Sequence, residues 1–246
     1  MKKKVLIIIP VSLVVLLVTL GLLFYFGHLW FVDPSHSVYP IRGIDVSEHQ
    51  GDIDWERVSS GGSEFAFIKS TEGMDHKDGY FVRNWNGAAE AGITRGAYHF
   101  FTFRSPGIEQ ARNFIATVPV EEGCLPPTID LEFGGNSRDI PAREEFQKEL
   151  RDFIDEIEKH YGRRPVLYVA YDSYESFIVG EFEDCAIWIR DLFNTPELSD
   201  GRHWFFWQYN CRGRIDGIDG YVDLNVFNGD ETQLEEFLRR SFIEAS

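Results

Sequence analysis

PPTIDLEF, residues 126–133, is the stretch on which the reading of this chain turns. After the two prolines the side chains alternate: Ile129, Leu131 and Phe133 are apolar, while Asp130 and Glu132 between them are acidic. Successive side chains on a strand point to opposite faces, so one face presents hydrocarbon and the other presents two carboxyls. In a barrel wrapped by helices the apolar face meets the helices. The carboxyls then sit together near the carboxyl end of the strand, where active sites of such barrels are built.

Working outward, seven further runs read as strands: RGIDVS (42–47), EFAFIKST (64–71), RGAYHFF (95–101), PVLYVAY (165–171), CAIWIRD (185–191), HWFFWQY (203–209) and VDLNVF (222–227). Eight strands interleaved with amphipathic stretches predict an α/β fold, a closed barrel of parallel strands covered by helices. Phe81, Trp85 and Ala88 keep helical spacing, and Ser105-Pro106 predicts a cap followed by proline at the first helical position. The clearest helix starts near Pro141, with Phe146, Leu150, Phe153, Ile157 and Tyr161 every three or four residues and Gly162 at its end. After about Tyr171 the alternation weakens, which predicts strands with little helical cover. A last amphipathic segment runs from Asp230, its expected cap, to Phe242, with Leu234, Phe237 and Leu238 on the same side.

The chemistry follows from the carboxyls. Two like charges held close resist joint ionisation, so one pKa must rise. A carboxyl kept protonated near neutral pH can donate to a departing glycosidic oxygen while an ionised partner stabilises positive charge on the sugar. In GIDVS the same alternation sets Asp45 opposite Ile44 and Val46, and in VDLN Asp223 is a fourth candidate. Each alone is weak, since an Asp at a strand end is more often a turn residue. An oxygen-ligand cation site is an alternative, but there is no Asp-x-Asp-x-Asp-Gly loop. Gly-x-Ser-x-Gly, His-Glu-x-x-His and a phosphate-cradling glycine loop are also absent from the sequence.

The 246 residues carry a formal charge of −16, which argues against a nucleic-acid partner. The three cysteines, Cys124, Cys185 and Cys211, have no metal-ligand spacing. One disulfide, Cys185 with Cys211, is open beside three separate buried thiols. Residues 1–4, with Lys2, Lys3 and Lys4, precede the uncharged run of residues 5–26, long enough at about 1.5 Å per residue to cross a hydrocarbon core of roughly 30 Å. We expect residues 1–4 in the cytoplasm, 5–26 as an uncleaved membrane anchor, favoured over a cleaved signal peptide, and the rest exported. His28, Trp30 and Phe31 are then placed near the outer interface, residues 27–40 form a tether, and 41–246 form the catalytic barrel.

Taken in order, GIDVSEHQGDIDW, FAFIKSTEG, RGAYHFF, PPTIDLEF, FWQY and GRIDGIDGYVDLNVFNG make the chain resemble the family 25 glycoside hydrolases, lysozymes acting on N-acetylmuramic acid linkages. The resemblance implies a modified TIM-like barrel, (β/α)5(β)3, five strand-helix units followed by three strands. It implies hydrolysis of the bond from N-acetylmuramic acid to N-acetylglucosamine in peptidoglycan, with no cofactor and no metal. Carried over motif by motif, Glu132 is the general acid, Asp130 its partner, and Asp45 and Asp223 the remaining carboxylates. Tyr98, Trp207, Gln208 and Tyr209 resemble substrate-lining positions, and Trp188 a wall of the cleft, although packing is an equal role for an aromatic on a barrel strand. His99 reads as a structural histidine. Arg190 departs from the family's small residue at its position; it is open to binding a carboxylate of the peptide stem or to pairing with a carboxylate of the protein. A substrate-assisted retaining route is preferred over an inverting one. The competing class is a membrane-tethered glycan-binding barrel without turnover, which would bind peptidoglycan and create no reducing ends.

Overall fold

The computed structural model describes the backbone of residues 2–240 and the side chains of residues 11–239. An N-terminal helix, α1 (Lys2–Tyr25), precedes the barrel. Strands follow as β1 (Arg42–Val46), β2 (Phe65–Glu72), a short β3 (His76–Lys77), β4 (Thr94–Phe100), β5 (Thr128–Asp130), β6 (Val166–Val169), β7 (Ala186–Arg190), β8 (Phe206–Gly213) and β9 (Val222–Phe227). Helices α2 (Trp55–Ser60), α3 (Phe81–Glu90), α4 (Gly107–Ile115), α5 (Arg143–Tyr161) and the single turn α6 (Tyr171–Ser173) lie between them, and α7 (Glu231–Arg240) ends the described chain. The sheet closes because β1 pairs with both β2 and β9; β3 hangs off β2 as a hairpin, which leaves eight strands around the barrel. All are parallel except β9, which runs antiparallel to its neighbours β1 and β8. Five strand-helix units followed by three strands is the order expected.

Alternation divides the apolar residues into two cores. Phe65, Phe67, Val166, Trp188, Phe206 and Phe227 point inward and fill the barrel, with Trp188 stacked on Phe67 at 4.3 Å between ring centroids. Ile44, Val46, Ala66, Ile68, Ile129 and Leu131 point outward and meet the helices. Residues two apart share a face, so each strand serves both cores. Filling the lower barrel with aromatics forces the polar inward residues to its carboxyl end.

The long helix forms as its spacing predicts: Phe146, Leu150, Phe153, Ile157 and Tyr161 are buried, and Gly162 ends it at φ 64°. Helix α4 begins one residue later than Ser105-Pro106 suggested, with Pro106 at the cap. Its first residue, Gly107, packs tightly on α5: a β-carbon there would lie 1.8 Å from the Glu149 carbonyl oxygen. Asp230 caps α7 as expected, accepting from Gln233 N at 2.9 Å. Phe237 of that helix closes the amino end of the barrel against Phe205, Phe206 and Phe227. Phe242 lies outside the described residues.

Among the described residues no helix is long and apolar enough to cross a membrane. Of the expected span 5–26, the side chains of residues 5–10 lie outside the described ones. Residues 27–40 differ from the free tether predicted. They are laid over the outside of β8, which has no helix of its own. Trp30 Nε1 donates to the Tyr209 carbonyl at 2.8 Å, Tyr39 packs on Trp204 and Trp207, and Phe31 meets Phe193. Arg42 ties the segment down through the Pro34 carbonyl and Asp33. Cys124, Cys185 and Cys211 are free thiols. The candidate bridge fails because Cys185 precedes β7 at the amino end of the barrel while Cys211 lies toward the carboxyl end of the parallel β8.

Candidate active site

At the carboxyl end of the barrel Asp45, Tyr98, Asp130, Glu132, Arg190 and Asp223 face one another across a cavity of about 180 Å³. Asp45 and Asp223 are direct neighbours in the β1–β9 register. Asp130 is the last residue of β5, and Glu132 lies just beyond it. There the chain turns: Glu132 N donates to Asp130 Oδ1 at 3.2 Å instead of extending the ladder. The turn leaves Asp130 buried and Glu132 with 27% of its side chain exposed, the more accessible of the two.

Asp45 is held by two amides. Gln208 Nε2 and Asn225 Nδ2 both donate to its Oδ2, at 2.9 and 2.7 Å. The orientation of Asn225 follows from Trp188, whose indole can only donate and does so to Asn225 Oδ1 at 2.8 Å. Tyr168 donates to Gln208 Oε1 at 2.8 Å. The two arms thus turn both amide donors onto Asp45, which favours its ionised form. Burial opposes that and raises its pKa above the usual carboxylate range. Asp223 is pushed well up by burial and by the charge of Asp45, with which it shares a hydrogen bond. Of these two, Asp223 takes the proton.

The second pair is arranged differently. Burial, then the charge of Glu132, drives Asp130 well above the usual range, and the amide of Glu132 only partly offsets this. Burial raises Glu132 as well, opposed first by Arg190, whose Nη1 lies 3.6 Å from Glu132 Oε2. Burial and like charge therefore favour the protonated forms of these carboxyls, and Glu132, more exposed than Asp45 and Asp130, lies beside a cation. That is the equipment of general acid catalysis beside a developing cation.

Of the residues singled out from the sequence, the fold gathers Asp45, Asp130, Glu132, Asp223, Tyr98, Trp188, Arg190 and Gln208 around this cavity. Trp188 forms its floor, 2% exposed. Trp207 and Tyr209 are not part of it. Gln208 points inward, so its neighbours point outward, Trp207 donating to the Asp191 carbonyl and Tyr209 lying under Trp30 and Arg42. A contiguous motif on a strand is split between two surfaces, because successive side chains alternate faces. His99 is fully buried between Thr71 and Gln110, and burial lowers its pKa to about 3, so it is neutral and structural. Tyr168, Asn225 and Cys211 were missed. Stepping by two from Val166 and from Asp223 would have found the first two, because inward positions recur at that period.

A larger cavity of about 480 Å³ lies at the opposite end, between α7 and the starts of β7 and β8. Arg164 there is already paired with Glu158 and Asp184.

A sequence profile described as Glycosyl hydrolases family 25 matches residues 44–218. An uncharacterized protein, YegX, of Escherichia coli O157:H7 is 39% identical over 205 residues, covering 81% of this chain and 74% of YegX. Lysozyme M1 of Streptomyces globisporus is 34% identical over 207 residues, covering 79% of this chain and 70% of that enzyme. Among solved structures, a family 25 glycosyl hydrolase from Bacillus anthracis superposes with a TM-score of 0.81 at 43% identity, over 85% of this chain and 98% of that one.

Proposed function

The chain belongs to glycosyl hydrolase family 25 and is a glycoside hydrolase, and from that premise we propose that it is a peptidoglycan muramidase with Glu132 as its acid. The observation that carries this reading is the gathering of Asp45, Asp130, Glu132 and Asp223 into one cavity, with Glu132 just past the end of β5 and more exposed than Asp45 and Asp130. In this reading Glu132 protonates the oxygen leaving the N-acetylmuramic acid carbon and then takes a proton from water. Asp130 orients the substrate's own acetamido group as the internal nucleophile, and Asp45 supplies negative charge to the developing oxocarbenium ion. The stereochemical outcome is retention.

Digestion of purified peptidoglycan with the full chain tests the reading. N-acetylmuramic acid at new reducing ends, formed by the wild type and reduced at least about 100-fold in Glu132→Gln, is expected. Proton NMR of the first-formed anomer checks retention. Saturable binding without new ends would instead favour the glycan-binding barrel.

We also propose that residues 5–26 hold the chain at a membrane with the barrel outside the cytoplasm. Supporting this, Lys2–Lys4 precede an uncharged run, and Val11, Leu13, Val14, Val15, Leu16, Leu17, Val18, Leu20 and Leu22 are exposed on α1. Recovery of the full chain in the soluble fraction after alkaline extraction would sink this part.

A further inference from the structure

Arg190 is the one cation among the described residues that line the cleft. It ends β7 pointing inward, two residues above Trp188, and its side chain keeps 36% of its surface exposed. The only carboxylate within ion-pair distance of it among the described residues is Glu132, at 3.6 Å, too long for a hydrogen bond, while Asp45 and Asp223 act on it from farther off. The guanidinium therefore spends none of its planar donor set on that carboxylate and stays partly exposed in the cleft. Elsewhere in the chain exposed arginines close on their carboxylates, Arg104 on Asp139 at 2.7 Å and Arg151 on Glu181 at 3.0 Å. A bidentate carboxylate ligand would outcompete the loose contact with Glu132, because two parallel N–H···O bonds are stronger and more directional than one charge at a distance.

We propose that Arg190 is exchanged between two carboxylates: Glu132 in the empty cleft, and a carboxylate of the acidic sugar or of its attached peptide in the occupied one. This rests on the muramidase reading and adds a specificity element to it. The groups facing Glu132 are Arg190 of β7 and Lys69 of β2, which favour its ionised form, Asp45 of β1, Asp130 of β5, Asp172 of α6 and Asp223 of β9, whose negative charge opposes it, and the neutral Tyr168 of β6. Lys69 is itself engaged by Glu72 at 2.7 Å, so Arg190 is the cation free to move. When Arg190 turns to the substrate, Glu132 loses its counterion and binds a proton from solvent more readily. A substrate that carries the anion thus arms the acid that cuts it, and a neutral chitin oligosaccharide does not.

Three glycans separate the possibilities: stem-bearing strands, whose carboxylates lie on the peptide; amidase-stripped strands, whose lactyl carboxylate is free; and neutral chitin oligosaccharides. Binding is measured by calorimetry in the Glu132→Gln background, with and without Arg190→Gln. Loss of Arg190 is expected to weaken binding of at least one anionic glycan about tenfold and to leave the neutral one unchanged. Which anionic glycan responds identifies the source of the carboxylate. In the chain with Glu132 intact, a ¹³C-carboxyl titration is expected to show Glu132 moving to higher pKa in Arg190→Gln, and Arg190→Lys to fall between. The basic limb of kcat/KM reports the free enzyme and that of kcat the complex, so the wild type should show the kcat limb at higher pH and Arg190→Gln should bring the two together. Equal weakening for all three glycans, or an unmoved Glu132 titration, overturns the proposal. Absence of any muramic acid ends in the wild type would sink the muramidase reading alone, since the binding and titration measurements require no turnover.

Discussion

Asp130 is enclosed at the end of β5, 7% exposed, with a single amide donor and a second carboxyl close by. Its raised pKa means that the folded chain holds a proton there that the unfolded chain releases at lower pH. The stability so contributed is present below the usual Asp range and lost as pH rises through the folded value. Asp130→Asn, which resembles the protonated form, is therefore expected to gain stability over the wild type as pH rises, by roughly 1 kcal/mol at pH 8. Thermal melts at pH 4 and pH 8 check it, and a constant difference between the two would refute the linkage. His99 acts in the opposite direction, since its pKa lowered to about 3 means stability is full above about pH 6.5 and declines as pH falls toward 3. At this scale alternation made Asp45, Asp130 and Glu132 legible. The Asx-type turn that separates the roles of Asp130 and Glu132, and the contact of Arg190 with Glu132, arise from neighbours distant in the chain.

Among the elements, residues 27–40 carry the largest departure from expectation. Their polar and proline content, DPSHS, is that of a linker, yet Trp30, Phe31, Val32 and Tyr39 have a surface to cover. That surface exists because β7, β8 and β9 follow one another without full helices, leaving Trp207 and Tyr209 facing outward. The segment substitutes for the missing helix. Tyr39→Ala is expected to lower stability by roughly 2 kcal/mol, with the cleft chemistry intact. Denaturant midpoints of the variant, and of a chain lacking residues 27–40, measure the effect; midpoints equal to that of the full chain would show the segment to be a passive tether. The helices, by contrast, were readable, because each buries one stripe against the barrel and that stripe is written at helical spacing, as in α5.

Over the whole molecule, closure of the eight-stranded sheet brings together residues as far apart as Asp45 and Asp223, which no local pattern pairs. Closure also separates what sequence proximity suggested joining. Cys185 and Cys211 are only 26 positions apart but lie toward opposite ends of the barrel, so stability is expected to be indifferent to reductant; a fall in melting temperature with dithiothreitol would contradict the arrangement. Strand and helix order, the barrel class and the four carboxyls are legible along the chain, because period-2 and period-3.6 patterns are local and each inward position follows from its neighbours two away. Three arrangements come from tertiary contacts alone: Trp207 and Tyr209 lie under residues 27–40, two hydrogen-bonded arms, Tyr168 with Gln208 and Trp188 with Asn225, converge on Asp45, and Arg190 faces Glu132. Those are distances across a closed barrel, fixed by register and shear rather than by any segment's own preference.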